Sequence, residues 1–344
     1  MKKVLVLGGS GFIGRNIVKS LVKKEYYVTS ADIKTCEELE NFQQSLKDKN
    51  KLKIVIDDFS IASSFKKFSG TFDEIYMLAA VVGVNRTLKE PNEVIRINTN
   101  LTMNTLNYVK ENPVKKILFS SSSENYAGTY DLFNYEIPTS EEVPLCISDV
   151  KHPRWTYAMT KMHGESAFIH CSKAYNYECT IIRYQNIIGP NMGFGHAIPH
   201  IVERFVKINN EPFKIYGHDQ TRAFCYVDDA VEGTILSMEK QNTDGEIYHI
   251  GKDEEISMKE LCTYIGKLMK YSGSYEDAIT YPGSVGRRCP NINKAINDLN
   301  YRPKTKWQDA VKKTVTWYKE FFEAGKNPPS GGFEPPEDVM KKYS

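Results

Sequence analysis

The sequence predicts an α/β protein: a doubly wound parallel sheet joined to a smaller mixed α/β lobe. Two observations carry this. Short apolar runs at Val4–Leu7, Tyr26–Ala31, Ile54–Ile56, Ile75–Ala80, Ile117–Ser121 and Thr180–Arg183 are separated by segments of helical periodicity, the order that gives parallel strands with crossover helices. The first of these runs is unbroken rather than alternating, as expected of a strand covered on both faces. After Pro190 the elements become shorter and mixed. The expected organisation is therefore a sheet domain over 1–186 that also receives part of 224–250, a second lobe over 187–324, and a tail over 325–344. The tail holds Pro328-Pro329, Gly331-Gly332 and Pro335-Pro336 and no core-forming pattern.

The first element, Val4–Leu7, runs into Gly8-Gly9-Ser10-Gly11-Phe12-Ile13-Gly14, and helical periodicity follows from Asn16 to Lys24 through Ile17, Leu21 and Val22. Strand, glycine turn and helix in that order make a phosphate site, because backbone N–H groups and a helix N-terminus face an anion that only glycines let approach. The spacing of Gly8, Gly11 and Gly14 is G-x-x-G-x-x-G, a variant of the general dinucleotide fingerprint. The second strand ends at Asp32, about 20 residues past the glycines, where a carboxylate can accept from an adenosine ribose. Such a carboxylate repels a 2′-phosphate and favours NAD over NADP, although Lys34 follows closely. The fold expected is thus Rossmann-like.

A polar, helical segment is expected over Thr35–Lys53, a third strand closes on Asp57-Asp58, and a fourth ends in Leu78-Ala79-Ala80, small enough for a cofactor to lie against the backbone. A helix over Pro91–Lys110 carries Asn98. Ala127–Arg154 reads as a long loop or lid, and long loops inside compact domains tend to be functional. A helix from Trp155 to Tyr175 precedes the sixth strand.

Lys plus Arg number 45 against 43 Asp plus Glu, so a net charge of +2 with interspersed signs offers no nucleic-acid footprint. Seven scattered cysteines without C-x-x-C or a His pair at metal spacing argue against zinc and for a reducing compartment. No run approaches the roughly 18 apolar residues of a membrane span. A cytoplasmic protein is expected.

The chemistry concentrates between Ile117 and Lys161. Ser120–Ser123 form a hydroxyl cluster at a strand end, followed by Glu124, Asn125 and Tyr126, and Tyr157 and Lys161 stand one helical turn apart. Y-x-x-x-K occurs a second time at Tyr248 and Lys252. In a strand, four residues span roughly 13 Å, whereas on a helix the same spacing brings Cβ atoms to about 5 to 6 Å. Tyr157 and Lys161 are therefore the pair able to cooperate. A free tyrosine titrates near pH 10, and a neighbouring ammonium together with a positive nicotinamide would favour its phenolate. Tyr157 could then take the proton of a sugar hydroxyl, with Ser122 hydrogen-bonded to the same oxygen.

These features resemble the extended short-chain dehydrogenase/reductase family of nucleotide-sugar epimerases, dehydratases and decarboxylases. The resemblance rests on the glycine turn, Asp58, Leu78-Ala79-Ala80, Asn98, the serine cluster before Tyr126, Tyr157 to Lys161, Arg183-Tyr184-Gln185-Asn186, Arg222 with Asp228-Asp229, and Arg287-Arg288-Cys289-Pro290, covering residues 1 to 322. It implies that Asp58 meets adenine, that Asn186, Arg222 and one of Arg287 or Arg288 meet the diphosphate of a nucleotide sugar, and that Val84 to Arg86 face the sugar. It also implies a homodimer. Guanidinium forks suit phosphate oxygens.

Within the family Glu124 separates the subclasses: galactose-type epimerases generally lack an acid there, while dehydratases and uronic-acid decarboxylases place one. In an extended segment residues 122 and 124 share a side, so Glu124 would stand beside Ser122 and could remove the C5 proton next to a C4 ketone, or equally assist decarboxylation or 3- or 5-epimerisation, which pass through the same 4-keto sugar. The neutral Ser123 counts against the thymidine-diphosphate hexose dehydratases; His152 to Tyr157 resembles the decarboxylases, while Tyr184 to Pro190 and Val285 to Arg288 are more similar to the epimerases. The expected function is an NAD-dependent epimerase or dehydratase working through transient C4 oxidation, with a decarboxylase or a net C4 dehydrogenase as alternatives. A non-catalytic NAD sensor is a remote rival.

Overall fold

In the computed structural model, residues 1–209, 211–278, 280 and 286–329 are described, without the side chains of Val84, Asn85 and Asp131. The strands of the central sheet are β1 (Lys3–Leu7), β2 (Tyr27–Asp32), β3 (Leu52–Ile56), β4 (Glu74–Met77), β5 (Lys116–Ser122) and β6 (Glu178–Tyr184). The second lobe opens with β7 (Ile187–Ile188), β8 (Phe213–Tyr216), β9 (Thr221–Ala223) and β10 (Cys225–Tyr226). The chain then returns to the sheet through β11 (Glu246–Ile250) before β12 (Glu255–Ser257), β13 (Tyr275–Ala278) and β14 (Arg287–Arg288). The seven-stranded sheet has the order β11-β6-β5-β4-β1-β2-β3, and all its pairings are parallel.

The sheet order reverses direction at β1, so β1 and β4 flank the topological switch point where α/β sheets bind ligands. Val4, Leu5, Val6 and Leu7 are all fully buried, because both sheet faces are covered. The crossovers include α1 (Phe12–Lys23), α2 (Glu37–Ser45), α3 (Val84–Lys89), α4 (Pro91–Glu111), α5 (Ala127–Phe133) and α6 (Trp155–Tyr175). Further on come α7 (Ala197–Lys207), α8 (Val227–Glu239), α9 (Met258–Leu268), α10 (Asn293–Leu299) and α11 (Trp307–Glu323).

Two departures from the sequence expectation are local. The helical part of 35–53 is only Glu37–Ser45, since a short 3-10 turn capped by Asp48 intervenes before β3. The segment 127–154 opens with α5 before it becomes irregular. One buried cluster runs from Val4, Val6 and Ile17 through Ile188 and Val227 to Phe205, Leu261 and Tyr318, so sheet and second lobe share a core. The tail positions 330–344 lie outside the described residues.

Candidate active site

The cofactor end is built on the β1–α1 turn. Gly8 holds φ +85°, and a Cβ there would lie 2.6 Å from the Ala79 nitrogen; a Cβ at Gly14 would lie 2.0 Å from the Gly8 carbonyl oxygen. The backbone of Gly8 thus touches the segment Leu78-Ala79-Ala80 beyond β4, and α1 packs directly on the turn. Gly11 caps α1 without a side-chain bond, and the first turn, which includes Phe12, Ile13 and Gly14, has no acidic residue. Its N–H groups have no intrahelical acceptors, and the positive end of the helix dipole is uncompensated. Ser10 Oγ is buried without a partner in the same turn. A glycine cradle, an uncapped helix start and an orphaned hydroxyl fit the pyrophosphate of a dinucleotide.

Asp32 Oδ2 accepts from Ser10 N at 3.0 Å and Oδ1 from Ile33 N at 2.8 Å. Burial raises its pKa, against those backbone hydrogen bonds. Asp32 therefore ties the glycine turn to the end of β2, and a carboxylate has further lone pairs beyond those two bonds. Asp58 accepts from Ser60 N at 2.9 Å, which shapes the loop after β3. Asn98, buried in α4, accepts from Val81 N at 2.7 Å and donates to Val81 O at 3.2 Å and Thr160 Oγ1 at 3.2 Å. Its amide clamps the loop after β4 onto α6, so the side chain expected at the cofactor is engaged in positioning that loop.

The residues expected to transfer the proton lie where β5 meets α6. Tyr157 shares a side-chain hydrogen bond with Ser122, and burial drives its pKa up, with the Glu124 charge adding to the rise. Lys161 is buried, donates to Ser120 O at 2.7 Å and lies 5.8 Å from the Tyr157 ring centroid. Burial draws its pKa down to about 7, and Glu165 pulls it back up. Burial thus opposes both charges that base catalysis needs, and a positive charge beside Tyr157 would favour the phenolate. Tyr248, by contrast, lies in β11, and Lys252 donates to Thr305 O at 2.7 Å, so that second motif is structural.

Glu124 is placed differently from the extended arrangement expected. Ser122 Oγ accepts from Glu124 N at 3.2 Å, an N-cap bond that winds Ser123–Tyr126 into a 3-10 turn. Glu124 Oε1 accepts from Arg288 Nη1 at 2.6 Å, and Oε2 from Arg154 Nη2 at 3.3 Å. Burial raises its pKa, but the two guanidinium groups outweigh that and lower it from 4.5 to about 2. A carboxylate held ionised so firmly is a poor proton acceptor. Arg154, which meets Glu124 here, is not among the residues singled out from the sequence; its signals there are its place three residues before Tyr157 and the His152 to Tyr157 segment that contains it.

The nearby arginines divide. Arg288 and Arg222 face each other in register across β14 and β9, on one face of that small sheet. Burial, then the charge of Arg288, lowers Arg222 to about 10, and Arg288 Nε is buried without a partner. Adjacent like charges in a half-buried wall suit a polyanion. Arg287 is 56% exposed and pairs with Glu255 at 2.8 Å, so of the two it is Arg288 that enters the site. Asn186, at φ 23°, donates to Ala223 O at 3.0 Å, and Arg86 is half-exposed and pairs with Glu90 at 3.2 Å. The side chain of Val84 lies outside the described residues. No cluster able to hold a metal occurs among the described residues.

The sequence profile of the NAD dependent epimerase/dehydratase family matches residues 4–251. The chain belongs to that family. It is 31% identical over 337 residues to a UDP-N-acetyl-alpha-D-glucosaminuronate decarboxylase of Bacillus cytotoxicus, covering 93% of this chain and 98% of that protein. A human dTDP-D-glucose 4,6-dehydratase is 28% identical over 341 residues, covering 95% of this chain and 92% of that protein. The solved UDP-glucose 4-epimerase of Thermotoga maritima, bound to UDP-glucose, superposes with a TM-score of 0.79 at 25% identity, covering 93% of this chain and 99% of that one. As a member of this NAD-dependent family the protein is an enzyme, and the glycine cradle accords with its cofactor.

Proposed function

We propose that the protein oxidises a nucleotide-linked sugar at C4, and that its substrate is a nucleotide uronic acid which it decarboxylates. The carrying observation is the Arg154–Glu124–Arg288 cluster beside Tyr157, which holds Glu124 ionised at about pKa 2. A 4,6-dehydratase needs a base at C5, and Glu124 is a weak one. Loss of carbon dioxide from a 4-keto uronic acid needs no such base: the C5–carboxylate bond breaks, its electron pair passes toward the C4 carbonyl oxygen, and a solvent proton completes C5. The likeness to the Bacillus cytotoxicus decarboxylase supports the same reading.

In this reading Gly8, Gly11, Phe12, Ile13 and Gly14 hold the pyrophosphate of NAD, Asp32 the ribose, Asp58 the adenine side, and Leu78, Ala79 and Ala80 the floor. NAD, when bound, accepts and returns a hydride at C4. Tyr157 takes the C4 hydroxyl proton, Ser122 orients that hydroxyl, and Lys161 steadies the phenolate. Arg222, Arg288 and Asn186 hold the diphosphate, and the excess of guanidinium over carboxylate around Glu124 draws the sugar carboxylate in. The lobe over 187–324 thus binds the nucleotide sugar and the sheet over 1–186, with part of 224–250, the cofactor. We place the enzyme in the cytoplasm, since all seven cysteines are free and no described helix is long and apolar enough to cross a membrane. A homodimer through α4 and α6 accords with the exposed Ile95 and Met103 on α4.

The test is mass analysis after incubation with UDP-, dTDP-, GDP- and CDP-linked hexoses and uronic acids. Loss of carbon dioxide from a uronic acid is expected. Loss of water from a hexose, an unchanged mass with inverted stereochemistry, or accumulation of a product lacking two hydrogens would each replace decarboxylation by dehydration, epimerisation or net oxidation.

A further inference from the structure

Glu165 follows Lys161 by one helical turn on α6 and is buried. Its Oε1 accepts from Ser121 Oγ at 2.5 Å, Asn125 Nδ2 at 2.9 Å and Arg183 Nε at 2.9 Å, and its Oε2 accepts from Arg183 Nη2 at 2.8 Å. Asn125 Nδ2 also donates to Ser121 Oγ at 3.0 Å, and Arg183 Nη1 donates to Glu141 O at 2.8 Å. One carboxylate therefore joins four elements: the end of β5 that carries Ser122, the 3-10 turn that carries Glu124, the end of β6, and the helix that carries Tyr157 and Lys161.

We propose that Glu165 is a positioning residue of the active site, the anchor that sets the Ser122 end of β5 and the Glu124 turn at a fixed distance from Tyr157 and keeps a negative charge one turn from Lys161. The proposal rests on the C4-oxidation reading above. The connection to chemistry is short. Ser121 and Ser122 are adjacent, Asn125 and Glu124 are adjacent, and each pair has one member bound to Glu165 and the other facing the reacting groups. The site tolerates errors of only about half an ångström in such shells. The buried pair with Arg183 also explains how an anion survives beneath the site, since a bidentate guanidinium satisfies it. Glu165 is the group that raises the Lys161 pKa against burial.

The experiment uses the full-length enzyme with its cofactor. Glu165→Gln keeps the size and removes the charge. Its expected signature is a first hydride-transfer rate reduced about tenfold or more, as for loss of a charged hydrogen-bond anchor, with KM for the nucleotide sugar held within about twofold. NMR titration of isotope-labelled lysine should move the Lys161 transition to lower pH, and Glu165→Asp should restore part of the rate. Glu165→Gln leaves Arg183 buried and unpaired, so Glu165→Gln with Arg183→Gln, which neutralises both partners, is read wherever the single variant fails to fold. Ser121→Ala, which strands no charge, should slow the same step less. A folded variant with unchanged Lys161 titration and unchanged hydride rate would overturn the proposal, as would equal losses in rate and KM. Should the wild type oxidise no nucleotide sugar, the functional reading fails, and the Lys161 titration still decides the role of Glu165.

Discussion

Arg288 and Glu124, separated by 164 residues of chain, meet at 2.6 Å where the second lobe closes over the sheet. Arg154 takes the other carboxylate oxygen at 3.3 Å. Because these cations lower the Glu124 pKa from 4.5 to about 2, the ionised pair contributes stability in full above the ordinary value and loses it as pH falls through the folded value. Urea midpoints of wild type and Glu124→Gln should therefore differ at neutral pH and converge between pH 4.5 and about pH 2. A gap that stays constant over that range would mean that the ion pairs do not form in solution.

The two adjacent arginines should behave unequally. Arg287 forms an exposed pair with Glu255, and such pairs are worth about 0 to 1 kcal/mol, so Arg287→Ala should leave kcat/KM within about twofold. Arg288→Ala removes a charge-assisted bond at the site and should lower kcat/KM about 10- to 100-fold. Steady-state kinetics of the two variants on one substrate decide between this assignment and its reverse.

Tyr157→Phe should lower the rate of cofactor reduction by about 100- to 10,000-fold, while the amount of NAD bound, measured after denaturation, stays unchanged. Lys161 gives a second readout. Its pKa is drawn from 10.5 to about 7 by burial, so the folded protein binds fewer protons than the unfolded chain between those values, and this group makes stability rise with pH there. Lys161→Met should flatten that part of the stability profile, measured by chemical denaturation.

At Gly14 an added Cβ would meet the Gly8 carbonyl oxygen at 2.0 Å, and at Gly164 it would meet Phe119 Cζ at 2.2 Å. Gly14→Ala should weaken NAD binding by displacing the turn from the start of α1. Gly164→Ala should instead cost stability, about 1 to 3 kcal/mol for an overpacked core, with NAD affinity nearly preserved. Calorimetric titration with NAD alongside thermal melting separates the two effects.

The sheet was legible because its strands are apolar runs closed by distinctive residues: glycines after Leu7, Asp32 after Ala31, and small residues after Met77. The relation of Glu124 to Ser122 was not, because side-by-side placement assumes extension, and the Ser122 hydroxyl instead caps a 3-10 turn. Nor could sequence sort Arg287 from Arg288. Successive residues of a strand face opposite ways, and which way faces the site depends on the register of β14 with β9. Arg154 escaped because its partner, Glu124, is distant in sequence and is brought near only by the docking of α6 on β5. Asn98 was found, but its engagement with Val81 and Thr160 is a property of the packed helices.

The chain leaves the sheet after β6, comes back as α8 and β11, and departs again for β12, while a single buried cluster runs beneath both lobes. The second lobe is therefore stitched to the sheet at several points and cannot swing away on one hinge. Heating should accordingly melt both lobes in one cooperative transition, with no temperature at which the half that holds the seven-stranded sheet stands folded alone.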